Sequence, residues 1–321
     1  MSERPLVVIT RGVPGTPDVP GAEVRIGRDE PQMTRGELLA FVRGATAVVT
    51  MFHDRVDDEF LDAAGPQLRA VCNFAIGVDN IDLAACRVRG VGVANTPDAV
   101  TEGTANLTWG LILATARRLA EGDRFVRTGQ WERQGNGFPK GWMGVHLTGQ
   151  TLLVIGAGRI GRAVALRALA FGMRVLYASR SRKLEMELAP IAARRVELDE
   201  GLRHADVVSV HTPLTPETRH ILDARRIALL KPTAIVVNTS RGPTIDEGAL
   251  AAALKAKKIW GAGLDVFERE PAVNADLLTL ENVVMTPHIG SAERKFREMM
   301  TEIACANATA AVAGKPLPNP V

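Results

Sequence analysis

Apolar and polar positions alternate along this chain in two rhythms. Short, continuous apolar runs are separated by longer stretches in which apolar residues recur at helical spacing. In the first third, Pro5–Thr10, Ala47–Thr50, Arg69–Cys72 and Val91–Ala94 read as strands. Arg35–Arg43, Asp57–Ala64 and Leu83–Arg89 read as helices between them. Such alternation predicts a parallel sheet with right-handed crossovers.

From Thr101 to Glu121 the pattern becomes one long helix, capped near Thr101-Glu102-Gly103-Thr104. Its middle (Leu107, Trp109, Leu111, Ile112, Leu113) is apolar on most sides and is expected to be buried between domains. A polar, Gly-rich connection over 129–149 leads to a second alternation. Its strands are Thr151–Ile155, Met173–Tyr177, Val207–Val210, Ala234–Asn238, Ile259–Leu264 and Val283–Met285. Its helices are Arg159–Ala170, Asp199–His204, Asp223–Ala228 and Glu247–Ala256. This predicts a six-strand, doubly wound sheet. A last helix, about Ala292–Ala313, is expected to return and cover the first sheet, and Gly314–Pro318 reads as a surface tail. The fold class is therefore α/β with two doubly wound parallel-sheet domains. A flavodoxin-like domain spans 1–99 plus 289–321, and a Rossmann nucleotide domain spans 100–288.

Composition narrows the function classes. The 321 residues are 46% apolar and 23% charged, ordinary values for a globular protein of two domains. A net charge of +3 is too mild to argue for nucleic acid or an anionic membrane as partner. No stretch approaches the roughly 18 apolar residues of a membrane span, and the N-terminal residues lack the apolar segment of a signal peptide. Cys72, Cys86 and Cys305 have neither metal-ligand nor redox spacing, which suits core thiols in a reducing cytoplasm.

The chemistry begins at Gly156-Ala157-Gly158-Arg159-Ile160-Gly161. This glycine run follows an apolar strand and opens a helix, as a dinucleotide pyrophosphate loop requires. Gly156 permits the tight turn, Gly158 admits the pyrophosphate, and Gly161 lets helix and strand pack closely. The next strand ends in Ser179-Arg180-Ser181-Arg182-Lys183, where an NAD-binding unit carries an acid for the ribose 2′-hydroxyl. Cations there suit a 2′-phosphate. The expectation is NADP(H) preferred, NAD(H) possible and no metal.

Three further strand ends carry reactive groups. Arg241 follows Thr239-Ser240, Glu270 follows the Asp265 turn, and His288 lies in Thr286-Pro287-His288-Ile289-Gly290. Taken singly, each also fits a bland role: a solvated arginine, a surface ion pair, a satisfied histidine. Their shared placement at successive strand ends favours catalysis. An imidazole can protonate an oxygen that becomes an alkoxide, a carboxylate can hold the ring in its charged form, and a guanidinium can bind a substrate carboxylate. Hence His288 is expected to be the acid, Glu270 its orienter and Arg241 the anchor. His211, which ends a strand before Thr212-Pro213-Leu214, is read as a cofactor-side residue. His53, His146, His204 and His220 have no comparable context.

Arg241-Gly242, the Asp265…Glu270-Pro271 stretch and Thr286–Gly290 resemble the signature segments of the D-2-hydroxyacid dehydrogenase family over nearly the whole chain. Asn73–Asp82 is similar to that family's substrate loop. Gly122–Arg127, Tyr177–Lys183 and Gly261–Glu268 resemble its glyoxylate/hydroxypyruvate reductases. The resemblance implies that backbone N–H groups at Ala75, Ile76 and Gly77 bind the substrate carboxylate. It implies pyrophosphate contacts at Gly158, Arg159, Ile160 and Gly161, and 2′-phosphate contacts at Ser179, Arg180 and Arg182. Thr239, Ser240, Arg241, Asp265, His288 and Gly290 would line the nicotinamide side. A homodimer built through the nucleotide domain is also implied, and Trp142 lies near the segment that reaches a partner's pocket in some of these reductases. Phe52, Trp142 and Met299 are candidate pocket walls. The expected reaction is NADPH-dependent reduction of a small 2-oxo acid, glyoxylate or hydroxypyruvate. A bulkier 2-oxo acid, or a nucleotide-sensing corepressor that keeps the same trio, remains a rival reading.

Overall fold

The computed structural model describes residues 4–135, 137 and 141–321. The part of the Gly137–Gly144 segment at 138–140, residue 136 and the first three residues lie outside the described residues. The chain divides into two compact units, one running to Val100 and resuming over Ser291–Val321, the other spanning Thr101–Gly290.

The first unit holds β1 (Leu6–Ile9), β2 (Glu23–Ile26), β3 (Ala47–Thr50), β4 (Ala70–Asn73) and β5 (Gly92–Ala94). Helices α1 (Arg35–Phe41), α2 (Asp58–Ala64) and α3 (Leu83–Val88) connect them. All strand pairs are parallel, in the order β2-β1-β3-β4-β5, the flavodoxin-like arrangement. β3 and β4 are buried throughout, so their sequences are continuous apolar runs. The apolar pattern does not reveal β2, because Glu23–Ile26 is largely exposed at the sheet edge and needs no apolar period.

The second unit opens with α4 (Thr101–Ala116), α5 (Leu119–Arg127) and α6 (Gln130–Gln134). It continues with β6 (Thr151–Ile155), α7 (Arg159–Ala168), β7 (Arg174–Ala178), α8 (Leu184–Glu187), β8 (Arg194–Arg195), α9 (Leu198–His204) and β9 (Val207–Val210). Then follow α10 (Ala224–Ile227), β10 (Ile235–Asn238), α11 (Glu247–Lys255), β11 (Gly261–Leu264), α12 (Ala275–Leu278) and β12 (Val283–Met285). Among the described residues the sheet has seven parallel strands, in the order β12-β11-β10-β9-β6-β7-β8. The extra strand, β8, is an arginine pair visible only through its pairing with Leu176 and Tyr177. The predicted single helix over 101–121 is two helices. Arg118 turns left-handed (φ 55°), and Val145 N–H donates to the Ala116 carbonyl at 3.0 Å, so a returning segment ends α4.

The last helix, α13 (Arg294–Val312), lies against β3, β4 and β5 and buries Met300, Ala304, Ala308 and Ala311. The residues after it do more than trail over the surface. Val321 N–H donates to the Val93 carbonyl at 2.9 Å, and Pro320 forms an antiparallel bridge with Ala94. Fully buried Asn307 secures this return, donating to Asn319 Oδ1 (3.1 Å) and accepting from Asn319 N–H (3.0 Å). An unpaired β5 edge supplies the physical reason that the tail docks. Asn307→Leu leaves the Asn319 amide without its partner. It should lower stability by about 1–3 kcal/mol and accelerate hydrogen exchange at the Asn319 and Val321 amides more than elsewhere in the first unit.

Candidate active site

Register places the functional residues of the second unit. Ala178 pairs with Ile155, Ile155 with Val210, Val210 with Asn238, Asn238 with Leu264, and Leu264 with Met285. The strands therefore end level, and the next residues, Ser179, Gly156, His211, Thr239, Asp265 and Thr286, emerge in one row. At ~4.8 Å per strand the row spans roughly 24 Å. This is the carboxyl edge, where open α/β sheets bind ligands.

The glycine run makes an open turn within that row. Gly156 has φ +95°, and a Cβ built on it would meet the His211 carbonyl oxygen at 2.6 Å. One built on Gly161 would meet the Gly156 carbonyl oxygen at 2.2 Å. A Cβ on Gly158 would instead meet nothing within 4 Å. Gly158 caps α7 with no side-chain bond, so the amides of Arg159 and Ile160 at the helix start offer an anion site. Beside it, His211 Nδ1 and Thr212 Oγ1 are buried without a partner among the described residues. His211 Nε2 lies 2.7 Å from Ser209 Oγ, and burial pulls the imidazole down to about 3, so the ring is neutral. The open glycine and two orphaned polar atoms fit a phosphate-bearing nucleotide.

The turn after β7 is braced from beneath. Tyr177 Oη accepts from Lys183 N–H (3.0 Å), and Arg195 donates to the carbonyls of Ser179 (2.9 Å) and Arg180 (3.1 Å). Ser179 Oγ is turned inward to the Ser181 carbonyl (2.6 Å). Arg180 is exposed, whereas Arg182 is tied to Glu187 at 2.6 Å. The turn is therefore cationic as expected, but its members differ. Arg195, which the strand pattern does not single out, supports the turn from β8.

The loops after β10, β11 and β12 meet. Thr239 Oγ1 is 2.9 Å from Thr108 Oγ1 of α4, and Ser240 N–H and Oγ both donate to Asn238 Oδ1. Asn238 Nδ2 holds the Arg241 carbonyl at 2.9 Å, and Arg241 Nη1 donates to the Ser240 carbonyl at 2.8 Å. Buried Asp265 accepts from Thr286 Oγ1 (2.6 Å), Ile289 N–H (2.9 Å) and Gly290 N–H (2.8 Å). Its observed work is thus to fold the His288 turn, in which His288 itself has φ +53°. Burial raises the Asp265 carboxyl, and these hydrogen bonds oppose it only in part.

His288 Nδ1 lies 2.7 Å from Glu270 Oε2, and Glu270 Oε1 accepts the Phe267 N–H at 2.9 Å. Burial alone would raise the Glu270 carboxyl. The His288 hydrogen bond and charge, the Phe267 amide and the Arg241 charge outweigh it, and the net shift is downward. Glu270 is therefore ionised at neutral pH and favours a charged ring. With Nδ1 so engaged, Nε2 is the position from which the ring can hand on a proton. His220, which lacks any context in the sequence, is paired with Glu268 in the same loop.

In the first unit, the Ala75–Gly77 loop leaves β4 at the carboxyl edge. Its three carbonyls are taken by Thr96 N–H (3.0 Å), Asn95 Nδ2 (2.8 Å) and Asn73 Nδ2 (2.7 Å). Asn80 donates to the carbonyls of Met51 and Asp54, tying the loop to the end of β3. With its carbonyls consumed, what the loop can offer a ligand is backbone N–H. Of the wall candidates, Phe52 is exposed beside His53 and Met299 is exposed on α13. Trp142 packs within its own unit, against Phe125 (5.0 Å) and Arg118 (4.8 Å).

Comparison with known proteins gives the family of the chain. Residues 109–290 match the family model described as D-isomer specific 2-hydroxyacid dehydrogenase, NAD binding domain. The chain is 46% identical to the glyoxylate reductase of Thermococcus onnurineus, covering 95% of this chain and 92% of that one. It superimposes on a protein from Thermus thermophilus with a TM-score of 0.90 at 43% identity, covering 98% of this chain and 99% of that one. It also superimposes on the NADPH-dependent glyoxylate/hydroxypyruvate reductase of Sinorhizobium meliloti in complex with NADP and malonate (TM-score 0.85, 32% identity, 99% and 97% covered). The chain belongs to the D-isomer specific 2-hydroxyacid dehydrogenase family, nicotinamide-nucleotide-dependent oxidoreductases.

Proposed function

We propose that this protein is a cytoplasmic, NADPH-preferring reductase of small 2-oxo acids, glyoxylate and hydroxypyruvate foremost, yielding D-2-hydroxy acids. The observation that carries the reading is the His288 Nδ1–Glu270 Oε2 pair of 2.7 Å, set on the same strand-end row as the phosphate cradle. The nucleotide, when bound, would supply the hydride. Gly156, Gly158, Arg159, Ile160 and Gly161 would hold its pyrophosphate, with His211 beside them. Ser179, Arg180 and Arg182 would meet a 2′-phosphate. Thr239, Ser240, Asp265 and Gly290 would shape the nicotinamide side.

Arg241 would bind the substrate carboxylate and draw charge toward the carbonyl oxygen. In the first unit, the backbone N–H groups of Ala75, Ile76 and Gly77 would bind a substrate carboxylate. His288 would protonate the forming alkoxide from Nε2, while ionised Glu270 holds the ring and stabilises its charged form. Three free, buried cysteines suit a reducing compartment. A homodimer through the second unit is supported by exposed Leu119, Val126, Trp131 and Met143 on or near α5 and α6.

Purified protein should oxidise NADPH when glyoxylate is added, followed by loss of absorbance of the reduced nucleotide. Silence across a panel of 2-oxo acids with both nucleotides would refute the activity. The pair Ser179→Asp and Arg180→Ala should shift the NADPH/NADH ratio of kcat/KM toward NADH by about tenfold or more, worth ~1.4 kcal/mol per decade. An unchanged ratio would remove the turn from cofactor choice.

Glu270→Gln should cost about a hundredfold in kcat. A kcat that stays within about twofold of the parent protein's would contradict the assigned role of the carboxylate.

A further inference from the structure

Beside the His288–Glu270 couple lies a second imidazole–carboxylate pair that the reaction does not use. His220 Nε2 and Glu268 Oε1 are hydrogen-bonded and half-buried. Glu268 is two residues before Glu270, and the backbone around it is held from several sides. Its own N–H donates to Glu247 Oε1 at 3.1 Å, from the start of α11. Burial raises the Glu247 carboxyl, although the Glu268 amide opposes it. Gly242, next to Arg241, approaches so closely that a Cβ on it would fall 1.9 Å from the Phe267 carbonyl carbon. His220 closes the third side. Its N–H donates to the Pro243 carbonyl (2.8 Å), and Leu222 N–H donates to the Thr244 carbonyl (3.2 Å). The 220–222 segment therefore runs along the turn that follows Arg241.

His220 sits at φ +50°, a left-handed conformation that a non-glycine residue adopts at a cost. In that conformation its imidazole reaches Glu268. The His220 bond is the side-chain tie to Glu268, alongside the Glu247 hydrogen bond and the Gly242 contact to the backbone and the loop's own Phe267–Glu270 and Ala272–Arg269 bonds. Glu270 reaches His288 from the end of this loop through a hydrogen bond whose geometry sets the orientation of the ring.

We propose that His220, acting through its pair with Glu268, is a positioning residue for Glu270 and so fixes the orientation of the His288 ring. His220 acts through these two carboxylates and not on the reacting atoms. The inference rests on the reading of His288 as the proton donor, and its test separates the two.

The test uses the full-length protein with His220→Phe, the conservative His220→Asn, Glu268→Gln, and each combined with Glu270→Gln. With glyoxylate and NADPH, His220→Phe should lower kcat about tenfold while KM for NADPH stays within about twofold. In the Glu270→Gln background the same substitution should cost less than about twofold, because the group it positions is gone. His220→Asn, which keeps a donor, should recover part of the loss. Independently of turnover, the downfield proton resonance of the His288 ring, assigned by its loss in His288→Asn, should shift or broaden in His220→Phe. Equal losses with and without Glu270, or a loss confined to KM for NADPH, would overturn the proposal. So would an unperturbed His288 resonance in a folded His220→Phe protein. If no 2-oxo acid is reduced but the resonance still moves, positioning stands and the activity reading falls.

Discussion

The register of one parallel sheet governs everything else in the second unit. Because Ala178, Ile155, Val210, Asn238, Leu264 and Met285 pair in succession, six strands stop at one level. A slip of one residue in any strand would reverse its side chains and carry its loop out of the row. The strands resist slipping because both faces are buried, as the unbroken burial of β6, β9, β10 and β11 indicates. The precision of the site is therefore set by the core, several residues away from any reactive atom.

Within that frame, burial and pairing compete at each carboxylate, and the winner differs. Asp265 and Glu247 are driven upward by desolvation although each accepts backbone amides. Glu270 goes the other way because a histidine and an arginine add positive charge to its hydrogen bonds. The first two serve the backbone: Asp265 folds the turn of His288, and Glu247 holds the loop of Glu270. Of these three, Glu270 alone combines a downward-shifted carboxylate with a hydrogen bond to an imidazole. Neutral His211 makes the complementary case, since burial without a counter-charge removes its proton altogether.

Much of this arrangement was legible in the chain. Continuous apolar runs located most strands to within a residue or two, and the glycine spacing located the tight turn between β6 and α7. Arg241, Glu270 and His288 stand out because each belongs to a loop that leaves such a run. What escaped had no period to reveal it. Exposed β2 and the arginine pair of β8 belong to strands that bury little. The break between α4 and α5 is set by the Ala116 carbonyl's bond to Val145 N–H, far along the chain, with Arg118 turned left-handed. The docking of Asn319–Val321 depends on an open sheet edge and on Asn307.

Local pattern alone decided the buried strands and which residues leave their ends, since periodicity and turn chemistry are local properties. Tertiary structure decided the partners. It joined Arg195 to the Ser179 turn, Asn95 to the Ile76 carbonyl, and His220 to Glu268. Each of these bonds links segments whose approach is fixed only when strand pairing brings them together, and no spacing along the chain encodes that distance.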